Sequence, residues 1–366
     1  MRIAVFQVTS SYAIGGCETY TWNLCHYLQG RGYASDLIAG LTDQPRQRYP
    51  DVKLLMAPFV PRERVLDLGS RFRKLVERIT FAWHARDIVC GGRYDILNIH
   101  KPYDIPAALW FRRQTGCRIV WRCHGTDFYA GLRHLIGRID SIYCVSNFAR
   151  DTLVARYPVR ASVIHTGVDT RFFDPAHEPV RASDTPRIVY FGRLEGWKGV
   201  RYLVDALGLL RDAAWTARII GEGPEHENLT RQIAMLDLSD RIRIEGALSG
   251  RERIRRLLAE TDIAVFPAVG VETFSNAVLE AMSMETAVVA TRVGGFPEAI
   301  SDGSTGMLVE ARRADALAEA IRHLLVDPKL RRTLSKAARR TVVERFDADQ
   351  SFQRVELLFE RLSQRS

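Results

Sequence analysis

Two carboxylates near a predicted helix give the first indication of a binding site. The apolar run 263–267 predicts a buried strand, after which Glu272 precedes a helix that begins near Ser275, and Glu280 lies on its second turn. First-turn amides of a helix attract anions, and a carboxylate accepts hydrogen bonds from hydroxyl groups. The stretch therefore indicates a ligand with both phosphate and hydroxyl groups. The alternative is an ordinary β-α-β unit whose glutamates are solvated.

A second charged group follows another predicted strand, in the sequence VYFGRLEGWKG at residues 189–199. Arg193 lies just after this strand, and Lys198 stands at the start of the next predicted helix. A guanidinium binds phosphate oxygens through a fork of N–H groups, whereas an ammonium acts as a point charge. Because parallel strands end at one edge of a sheet, we expect both cations on the edge that carries the two carboxylates. The alternative is two ordinary surface cations.

The beginning of the chain has the same organisation. A predicted strand at 2–8 is followed by a loop containing Gly15 and Gly16 and then by a helix, as at the start of a doubly wound sheet. Without Cβ atoms, these glycines let the backbone approach a phosphate, although a plain turn fits equally well. His124 follows a later predicted strand and is either a site residue or a hydrogen-bonding loop residue.

Strands and helices alternate along most of the chain, which predicts an α/β protein with two doubly wound, Rossmann-like domains. The segment 168–186 is rich in Pro, Asp and Ser and lacks periodicity, so it marks the boundary. We predict domains at 1–175 and 176–346. The remaining residues, 347–366, predict a helix that packs back toward the first domain.

Composition limits the classes of protein to which the chain can belong. Of the formal charge of +9 over 366 residues, most lies in residues 1–180, which hold 24 Lys+Arg against 16 Asp+Glu. The six cysteines form neither a CxxC pair nor a zinc-ligand spacing with histidine. No apolar run approaches the ~18 residues of a membrane span, and the first is too short for a signal peptide. We expect a cytoplasmic protein, and the chain lacks motifs for nucleic-acid binding.

The segment 61–89 combines apolar and cationic residues. The apolar residues at helical spacing are Leu68, Phe72, Leu75, Val76 and Ile79. The interleaved cations are Arg62, Arg64, Arg71, Arg73, Lys74 and Arg78. Such an amphipathic helix can lie on an anionic membrane surface, which would make the protein peripheral at the inner face of the membrane. The alternative is a core-packed helix with a solvated basic face.

Short motifs follow one another in a characteristic order from end to end. They are the Gly15-Gly16 loop, HGTDF at 124–128, VSNFARD at 145–151, HTGVDTRFF at 165–173, FGRLEGWKG at 191–199, GEGPE at 221–225, the pair Glu272 and Glu280, and VGGFPEAISDGSTGMLV at 293–309. The ordered set resembles the retaining glycosyltransferases of family 4, which have the GT-B fold. The resemblance implies an N-terminal acceptor-binding domain and a C-terminal nucleotide-sugar-binding domain that face a central cleft.

The resemblance also implies a role for each matching residue. Arg193 and Lys198 would hold the diphosphate of a sugar nucleotide, while Glu272 and His124 would contact the donor sugar; these four are the expected catalytic residues. Glu280 would accept hydrogen bonds from the ribose. The other expected donor-binding residues are Gly15, Gly16, Gly192, Glu222, Pro224, Thr273, Phe274, Ser275, Asn276 and Ala277.

The chain departs from the family pattern at three positions. Ser275 and Glu285 stand where many members have glycine, and Thr166 takes a position that is usually asparagine. Ser275 would narrow the approach of the backbone to a phosphate. Glu285 lies at a predicted helix C-terminus, where a left-handed residue is favoured.

The chemistry implied by the resemblance requires neither a cofactor nor a metal. Fixed cations stabilise the charge that develops on the leaving diphosphate, and a phosphate oxygen takes the proton of the acceptor hydroxyl on the front face. Asp347 and Asp349 form an Asp-x-Asp pair, but they follow the last αβ repeat, so we interpret them as a helix cap. We expect metal-independent transfer.

The expected function is transfer of a sugar from a nucleotide-sugar, with UDP favoured, to a saccharide or lipid-linked acceptor in bacterial cell-envelope or polysaccharide synthesis. Glu272 and Glu280 also suit a two-carboxylate glycosidase, but such an enzyme has no need for Arg193 and Lys198. A nucleotide-sugar epimerase is a further enzymatic alternative. A catalytically idle subunit of the same fold that binds a protein partner also stays open.

Overall fold

The computed structural model describes residues 1–13, 15–178, 185–248 and 250–364. The chain divides into two compact units: unit 1 comprises Met1–Thr166 and Ser351–Ser366, and unit 2 comprises Gly167–Gln350. The sequence prediction divided the chain after residues 175 and 346. Of the predicted boundary segment, residues 179–184 lie outside the described part.

Unit 1 is built on a seven-stranded sheet. Its strands are β1 (Arg2–Phe6), β2 (Ala34–Gly40), β3 (Lys53–Ala57), β4 (Ile96–Ile99), β5 (Arg118–Cys123), β6 (Ser141–Cys144) and β7 (Ser162–Val163). Its helices are α1 (Gly16–Gly30), α2 (Ser70–Gly91), α3 (Ile105–Thr115) and α4 (Asn147–Arg156). The strand order is β3-β2-β1-β4-β5-β6-β7, and the paired strands are parallel.

Unit 2 contains a six-stranded sheet. Its strands are β8 (Arg187–Phe191), β9 (Thr216–Ile220), β10 (Ile242–Glu245), β11 (Ile263–Phe266), β12 (Ala287–Thr291) and β13 (Met307–Val309). Its helices are α5 (Val200–Gly208), α6 (His226–Met235), α7 (Arg251–Ala259), α8 (Asn276–Ser283), α9 (Phe296–Ala299), α10 (Ala314–Val326) and α11 (Pro328–Arg345). The order is β10-β9-β8-β11-β12-β13, again with parallel pairs.

The strand order determines where ligands can bind in each unit. In unit 1 β1 lies between β2 and β4, and in unit 2 β8 lies between β9 and β11. The chain leaves the central strand toward opposite sides of the sheet, so the loops after neighbouring strands diverge and leave a crevice at the carboxyl edge. In unit 2 the loops after β8 and β11 border that crevice, and they carry the residues predicted to bind phosphate. The two parallel, doubly wound sheets confirm the predicted fold class.

The C-terminal helix α12 (Ala348–Ser363) begins in unit 2 and continues into unit 1. The carboxylate of Asp347 accepts hydrogen bonds from the backbone N–H groups of Asp349 and Gln350 at 3.0 and 3.3 Å, as the cap interpretation predicts. Within unit 1 the ring of Phe352 lies 5.5 Å from that of Tyr27, whose hydroxyl donates to Glu356. The predicted packing of this helix onto the N-terminal domain is confirmed.

The orientation of α2 corrects one part of the sequence interpretation. Arg78, placed among the surface cations, is buried: its side chain is 3% exposed, and Nη1 donates to Gln7 and Asp104 at 3.1 and 3.2 Å. The predicted apolar face points to solvent instead, since Leu75 and Ile79 are 40% and 58% exposed. The helix itself is correctly predicted, but the core-packed interpretation, which has the apolar face inward, is wrong. The membrane interpretation, in which that face is outward, stays a prediction.

Glu285 confirms an expectation drawn from the helix ends. It follows α8 with φ of 54°, in the left-handed region that usually requires glycine. Its backbone N–H donates to the carbonyl of Met282 at 3.3 Å, which closes the last turn. A side chain in this conformation costs about 1–2 kcal/mol relative to glycine.

Candidate active site

Lys198 and Glu272 meet at the carboxyl edge of the unit 2 sheet. Lys198 ends a short 3₁₀ turn after β8, and Glu272 lies in the loop between β11 and α8. Their side chains form an ion pair; the side chain of Lys198 is 20% exposed and that of Glu272 is 9% exposed. The sequence placed both residues on one edge, and the structure brings them into direct contact. Because the pair is partly buried, its two charges have fixed positions, and a charged ligand can form charge-assisted hydrogen bonds to them.

Arg193 lies in the same loop after β8 and reaches solvent. Its guanidinium is 66% exposed and 3.8 Å from Glu195, which makes at most a weak surface pair. The carbonyl of Arg193 accepts a hydrogen bond from the hydroxyl of buried Tyr190 at 2.8 Å. Burial and the nearby charge of Glu272 raise the pKa of Tyr190, so its phenol stays a donor. Tyr190 was not among the predicted site residues, although its position within the strand β8 indicates a buried side chain.

Trp197 links the two cations and was also missed. Its ring centroid lies 4.4 Å from Nζ of Lys198 and 5.5 Å from Cζ of Arg193. Its carbonyl accepts from the N–H groups of Val269 and Gly270 at 2.9 and 3.0 Å, so the loop after β8 is tied to the loop after β11. The indole face attracts both cations and restricts their positions. The residue stands within the motif FGRLEGWKG, where an aromatic between two cations is a usable signal.

The start of α8 provides the predicted helix N-terminus. Ser275 is the N-cap residue, in an extended conformation with φ of −113°, and its side chain accepts from the N–H of Val278 at 3.4 Å. The serine side chain therefore caps one backbone N–H group of the helix, and its φ angle is one that residues other than glycine adopt readily. The remaining first-turn amides, including those of Asn276 and Ala277, are available to an anion. Glu280 lies on the second turn and is partly buried.

A glycine turn after β12 supports the loop that carries Glu272. Gly294 has φ of 54°, and a Cβ there would lie 1.9 Å from the carbonyl oxygen of Glu272. The next residue, Gly295, donates its N–H to that same carbonyl at 2.7 Å. The backbone of Glu272 is therefore held by a second backbone segment. The sequence VGG was recognised as a motif, but it had no role in the predicted site.

The loop after β9 is packed against the loop after β8. A Cβ at Gly221 would lie 1.8 Å from the carbonyl oxygen of Gly192, and the N–H of Leu194 donates to the carbonyl of Glu222 at 2.8 Å. The side chains of Glu222 and Pro224 are exposed beside these loops. Thr273 and Phe274, in the loop before α8, are partly buried. The predicted donor-binding residues of unit 2 therefore lie on the loops at one edge of one sheet or on the first two turns of α8, which follows one of those loops.

His124 lies in unit 1, directly after β5. Its Nε2 is 3.3 Å from the Sγ of Cys17. Burial, followed by the charges of Lys101 and Arg122, holds the pKa of His124 well below its usual value. Burial also raises the pKa of the Cys17 thiol to about 11, so the pair is a neutral imidazole and a thiol. A neutral imidazole can donate a hydrogen bond to a sugar hydroxyl or accept one from it, but it carries no positive charge.

The Gly15-Gly16 loop has a feature that the sequence reading did not include. Gly15 is the N-cap of α1, and a Cβ at this position would lie 2.5 Å from the carboxylate of Glu18. Glu18 accepts from the hydroxyl of Thr9 at 2.5 Å. A carboxylate thus already lies at the first turn of α1, where it interacts with the N-terminal end of the helix dipole.

Arg122 and Thr166 explain another departure from the family pattern. Nη2 of Arg122 donates to the hydroxyl of buried Thr166 at 2.7 Å, and the guanidinium lies 3.5 Å from the centroid of the Tyr20 ring. Threonine therefore accepts one hydrogen bond from a buried cation inside unit 1. In the part of the chain that the structure describes, no three His, Cys, Asp or Glu side chains cluster as metal ligands would.

None of the helices within the described ranges combines the length and the apolar composition needed to cross a bilayer.

Two family models match this chain, one for each half. Residues 14–172 match Glycosyltransferase Family 4, and residues 174–341 match Glycosyl transferases group 1. The chain is 25% identical to the MMP alpha-(1->4)-mannosyltransferase of Mycolicibacterium hassiacum over 94% of each protein. It is 30% identical to the alpha-D-kanosaminyltransferase of Streptomyces kanamyceticus, in a match that spans 56% of each protein.

Solved structures show the same fold. Sucrose-phosphate synthase from Thermosynechococcus elongatus superposes with a TM-score of 0.86 at 20% identity, over 100% of both chains. HepE of Anabaena, solved in complex with UDP-glucose, has a TM-score of 0.79 at 19% identity and covers 99% of this chain and 100% of its own. The fold is therefore GT-B. Together with the two family matches, it shows that the chain is a group 1 glycosyltransferase and belongs to glycosyltransferase family 4.

Proposed function

We propose that the protein transfers a sugar from a UDP-sugar to a hydroxyl group of a saccharide or lipid-linked acceptor, with retention of configuration at the anomeric carbon. The observation that carries this proposal is the Lys198–Glu272 ion pair beside the N-terminus of α8. The pair and the start of this helix bring a cation, backbone amides and a carboxylate to one edge of the sheet, which supports the proposal. These are the groups that a sugar diphosphate requires.

Each residue of this edge has a proposed role in the reaction. Arg193 and Lys198 bind the diphosphate and stabilise the negative charge that develops on it as the anomeric bond breaks. Glu272 accepts hydrogen bonds from the donor sugar, Glu280 accepts them from the ribose, and His124 contacts the sugar from the N-terminal domain. A leaving phosphate oxygen takes the proton of the acceptor hydroxyl, so no carboxylate base is required. We propose that transfer needs no metal, because the cations neutralise the diphosphate.

The nucleotide and the metal requirement can be tested in one experiment. A ligand that binds only the native protein raises the midpoint of thermal unfolding. We expect UDP-sugars, in the presence of EDTA, to raise the midpoint more than GDP- or ADP-sugars; UDP is the first choice because it is the commonest donor nucleotide in the family. A larger shift of the midpoint with a GDP- or ADP-sugar would show that the donor carries that nucleotide instead. If none of these donors shifts the midpoint, is hydrolysed or is transferred, the protein is a catalytically idle subunit.

We further propose that the enzyme works at an anionic membrane surface, where it builds cell-envelope or polysaccharide glycans. The outward face of α2 supports this: Phe72, Leu75, Ile79 and Trp83 form one stripe at helical spacing, with 39–67% of each exposed. Arg71 is exposed beside the stripe. Exposed apolar side chains flanked by cations suit the interface of anionic lipids.

Sedimentation with phosphatidylglycerol vesicles tests this surface. We expect the wild type to pellet with the vesicles and the triple variant Phe72→Ser, Ile79→Ser, Trp83→Ser to stay in the supernatant. The matched control replaces two apolar residues of unit 2, Met235→Ser and Val326→Ser, which are 85% and 68% exposed. Equal pelleting of the stripe variant and the wild type would refute membrane binding through α2. Pelleting that is unaffected by Arg71→Glu would show that charge plays no part.

A further inference from the structure

A buried glutamine of unit 1 directs a chain of hydrogen bonds toward the start of α1. Gln7 directly follows β1 and is 0% exposed, and its Oε1 accepts from Nη1 of Arg78 at 3.1 Å. Because a guanidinium can only donate, the amide NH₂ group points the other way. There Nε2 lies 3.1 Å from Oγ1 of Thr9, 3.4 Å from Sγ of Cys17 and 3.5 Å from Glu18. Sulfur is larger than oxygen, so Cys17 is the closer contact of the last two and accepts an N–H of the amide.

The thiol of Cys17 lies between Gln7 and His124. Its Sγ is 3.3 Å from Nε2 of the imidazole. Burial raises the pKa of the Cys17 thiol to about 11, so the sulfur keeps its proton at neutral pH. Since the sulfur accepts from Gln7, its single S–H is left to donate. The imidazole nitrogen is the acceptor within its reach.

The imidazole of His124 has another partner on its other side. Burial lowers the pKa of His124, and a hydrogen bond with the backbone of His100 acts in the opposite direction. Such a bond favours the charged ring only if the ring donates it, so the partner is the carbonyl of His100. Each ring nitrogen has one in-plane direction for a hydrogen bond, and Nε2 faces Cys17, so Nδ1 is the donor. A neutral ring holds a single N–H, which makes Nε2 an acceptor.

We propose that Cys17 is a positioning residue for His124, because its thiol donates to Nε2 and keeps the ring in the orientation and tautomer that accept a hydrogen bond there. The inference rests on the proposed glycosyl transfer, in which His124 contacts the donor sugar, and it adds the direction of that contact. A sugar hydroxyl that reaches Nε2 donates a hydrogen bond to the ring and takes the place of the thiol. A thiol is only a weak donor, so a hydroxyl can displace it.

The ¹⁵N resonances of the imidazole test this assignment on the full chain without a ligand. Protein labelled with ¹⁵N-histidine contains nine labelled rings, and the variant His124→Asn identifies the signals of His124 by their absence. In a neutral imidazole the protonated nitrogen and the acceptor nitrogen resonate at well-separated frequencies. We expect a proton on Nδ1 and a hydrogen-bonded acceptor at Nε2. A proton on Nε2 would overturn the proposal, because the thiol would then be the acceptor.

Substitution of Cys17 tests the partner of Nε2 and its effect on the reaction. Cys17→Ala removes the S–H donor, so the Nε2 resonance should move toward that of an acceptor without a partner. We expect kcat to fall about three- to tenfold, as for the loss of one hydrogen bond between neutral groups. The KM for the donor should stay within about twofold, because the contacts of the nucleotide are unchanged. Cys17→Ser keeps a donor at this position and should keep the resonance and kcat near those of the wild type.

The matched control is Cys25→Ala, which deletes another buried thiol of the same helix. We expect the His124 signals and kcat of this variant to match those of the wild type. Circular dichroism and the thermal midpoint of each variant show that it is folded. The proposal is overturned if Cys17→Ala leaves the Nε2 resonance or kcat unchanged, or if Cys25→Ala lowers kcat as much.

The NMR measurement and the rates separate this proposal from the proposed transfer. The tautomer is measured without a donor, so a proton on Nε2 overturns the role of Cys17 whether or not the protein transfers a sugar. If the wild type transfers no sugar from UDP-, GDP- or ADP-sugars, the proposed transfer fails, and with it the role of the ring as an acceptor for the donor sugar.

Discussion

The carboxyl edge of the unit 2 sheet and the helix α2 were both interpreted from charges, with different outcomes. At the sheet edge, Lys198 and Glu272 meet although 74 positions separate them. On α2, Arg78 faces the interior and Ile79 faces solvent, the reverse of what a core-packed amphipathic helix would show. The strand order of a doubly wound sheet dictates which loops are neighbours. A helical pattern shows that two faces exist, but the partner elements decide which face is inward.

The largest effect is expected from removal of the buried cation of α2. Arg78→Ala leaves the carboxylate of Asp104, 1% exposed, without its partner. We expect the free energy of unfolding to fall by about 3–5 kcal/mol, measured by urea denaturation. Arg71→Ala, an exposed cation on the same helix, should change it by less than about 0.5 kcal/mol. Similar effects of the two substitutions would contradict the inward orientation of Arg78.

Substitution of Lys198 tests the proposed role of the sheet edge, with enzymatic activity as the measured quantity. Because its ammonium is proposed to stabilise charge on the leaving diphosphate, Lys198→Ala should lower kcat/KM by about 10²–10³-fold. The control is Lys336→Ala, an exposed lysine of the same unit, for which we expect wild-type kinetics. The measurement is UDP release from the donor. A Lys198 variant with wild-type turnover would remove this edge from the mechanism.

The two carboxylates of the edge are expected to differ in their kinetic effects. Glu280→Ala should mainly weaken donor binding, because it contacts the ribose in both ground and transition states, and raise KM by about tenfold. Glu272→Ala should mainly lower kcat, because its contact with the sugar strengthens as the bond breaks. Initial-rate kinetics over a range of donor concentrations distinguish the two. The reversed pattern would show that the two roles are exchanged.

The smallest expected effect concerns Glu285, whose backbone conformation was predicted from sequence. Glu285→Gly relieves the left-handed strain, and we expect it to stabilise the protein by up to about 1 kcal/mol. Glu285→Ala retains a Cβ in the same conformation and should give no gain. Thermal unfolding of both variants measures the difference. Equal midpoints for the glycine and alanine variants would show that the conformation costs little here.

Much of the fold was accessible from the sequence. The strand at 118–123 and that at 287–291 were predicted with their observed bounds, because buried parallel strands are short apolar runs between turn residues. Strand β3 (Lys53–Ala57) was missed, although four of its five residues are apolar; it lies at the edge of its sheet, where most of its residues are only partly buried. The helices α10 and α11 were not assigned, although both carry apolar residues at helical spacing.

The sequence placed Lys198 and Glu272 on one sheet edge, and the structure shows them in contact there; the binding roles assigned to them stay predictions. Residues that act through another residue were missed. Lys198 and Glu272 were recognised because they follow predicted strands of a parallel sheet, whose carboxyl ends meet at one edge. Trp197, Tyr190 and Gly294 were missed because their contribution is visible only through contacts: two cations over a ring, a hydroxyl on a carbonyl, and a backbone approach that excludes a Cβ. The sequence offered only indirect signals for two of them: Trp197 stands between two cations in its motif, and Tyr190 lies inside a predicted strand.

The amino-acid sequence alone was sufficient to predict the alternation of strands and helices, the family, and the set of charged residues at the sheet edge. These follow from local periodicity and from motifs whose order is fixed along the chain. The three-dimensional packing was needed to show that Lys198 pairs with Glu272, that Arg78 is buried, and that the rings of Tyr12 and Phe59 stack. The physical reason is that burial and pairing are properties of neighbours distant in sequence, and their energies appear only when those neighbours are packed together.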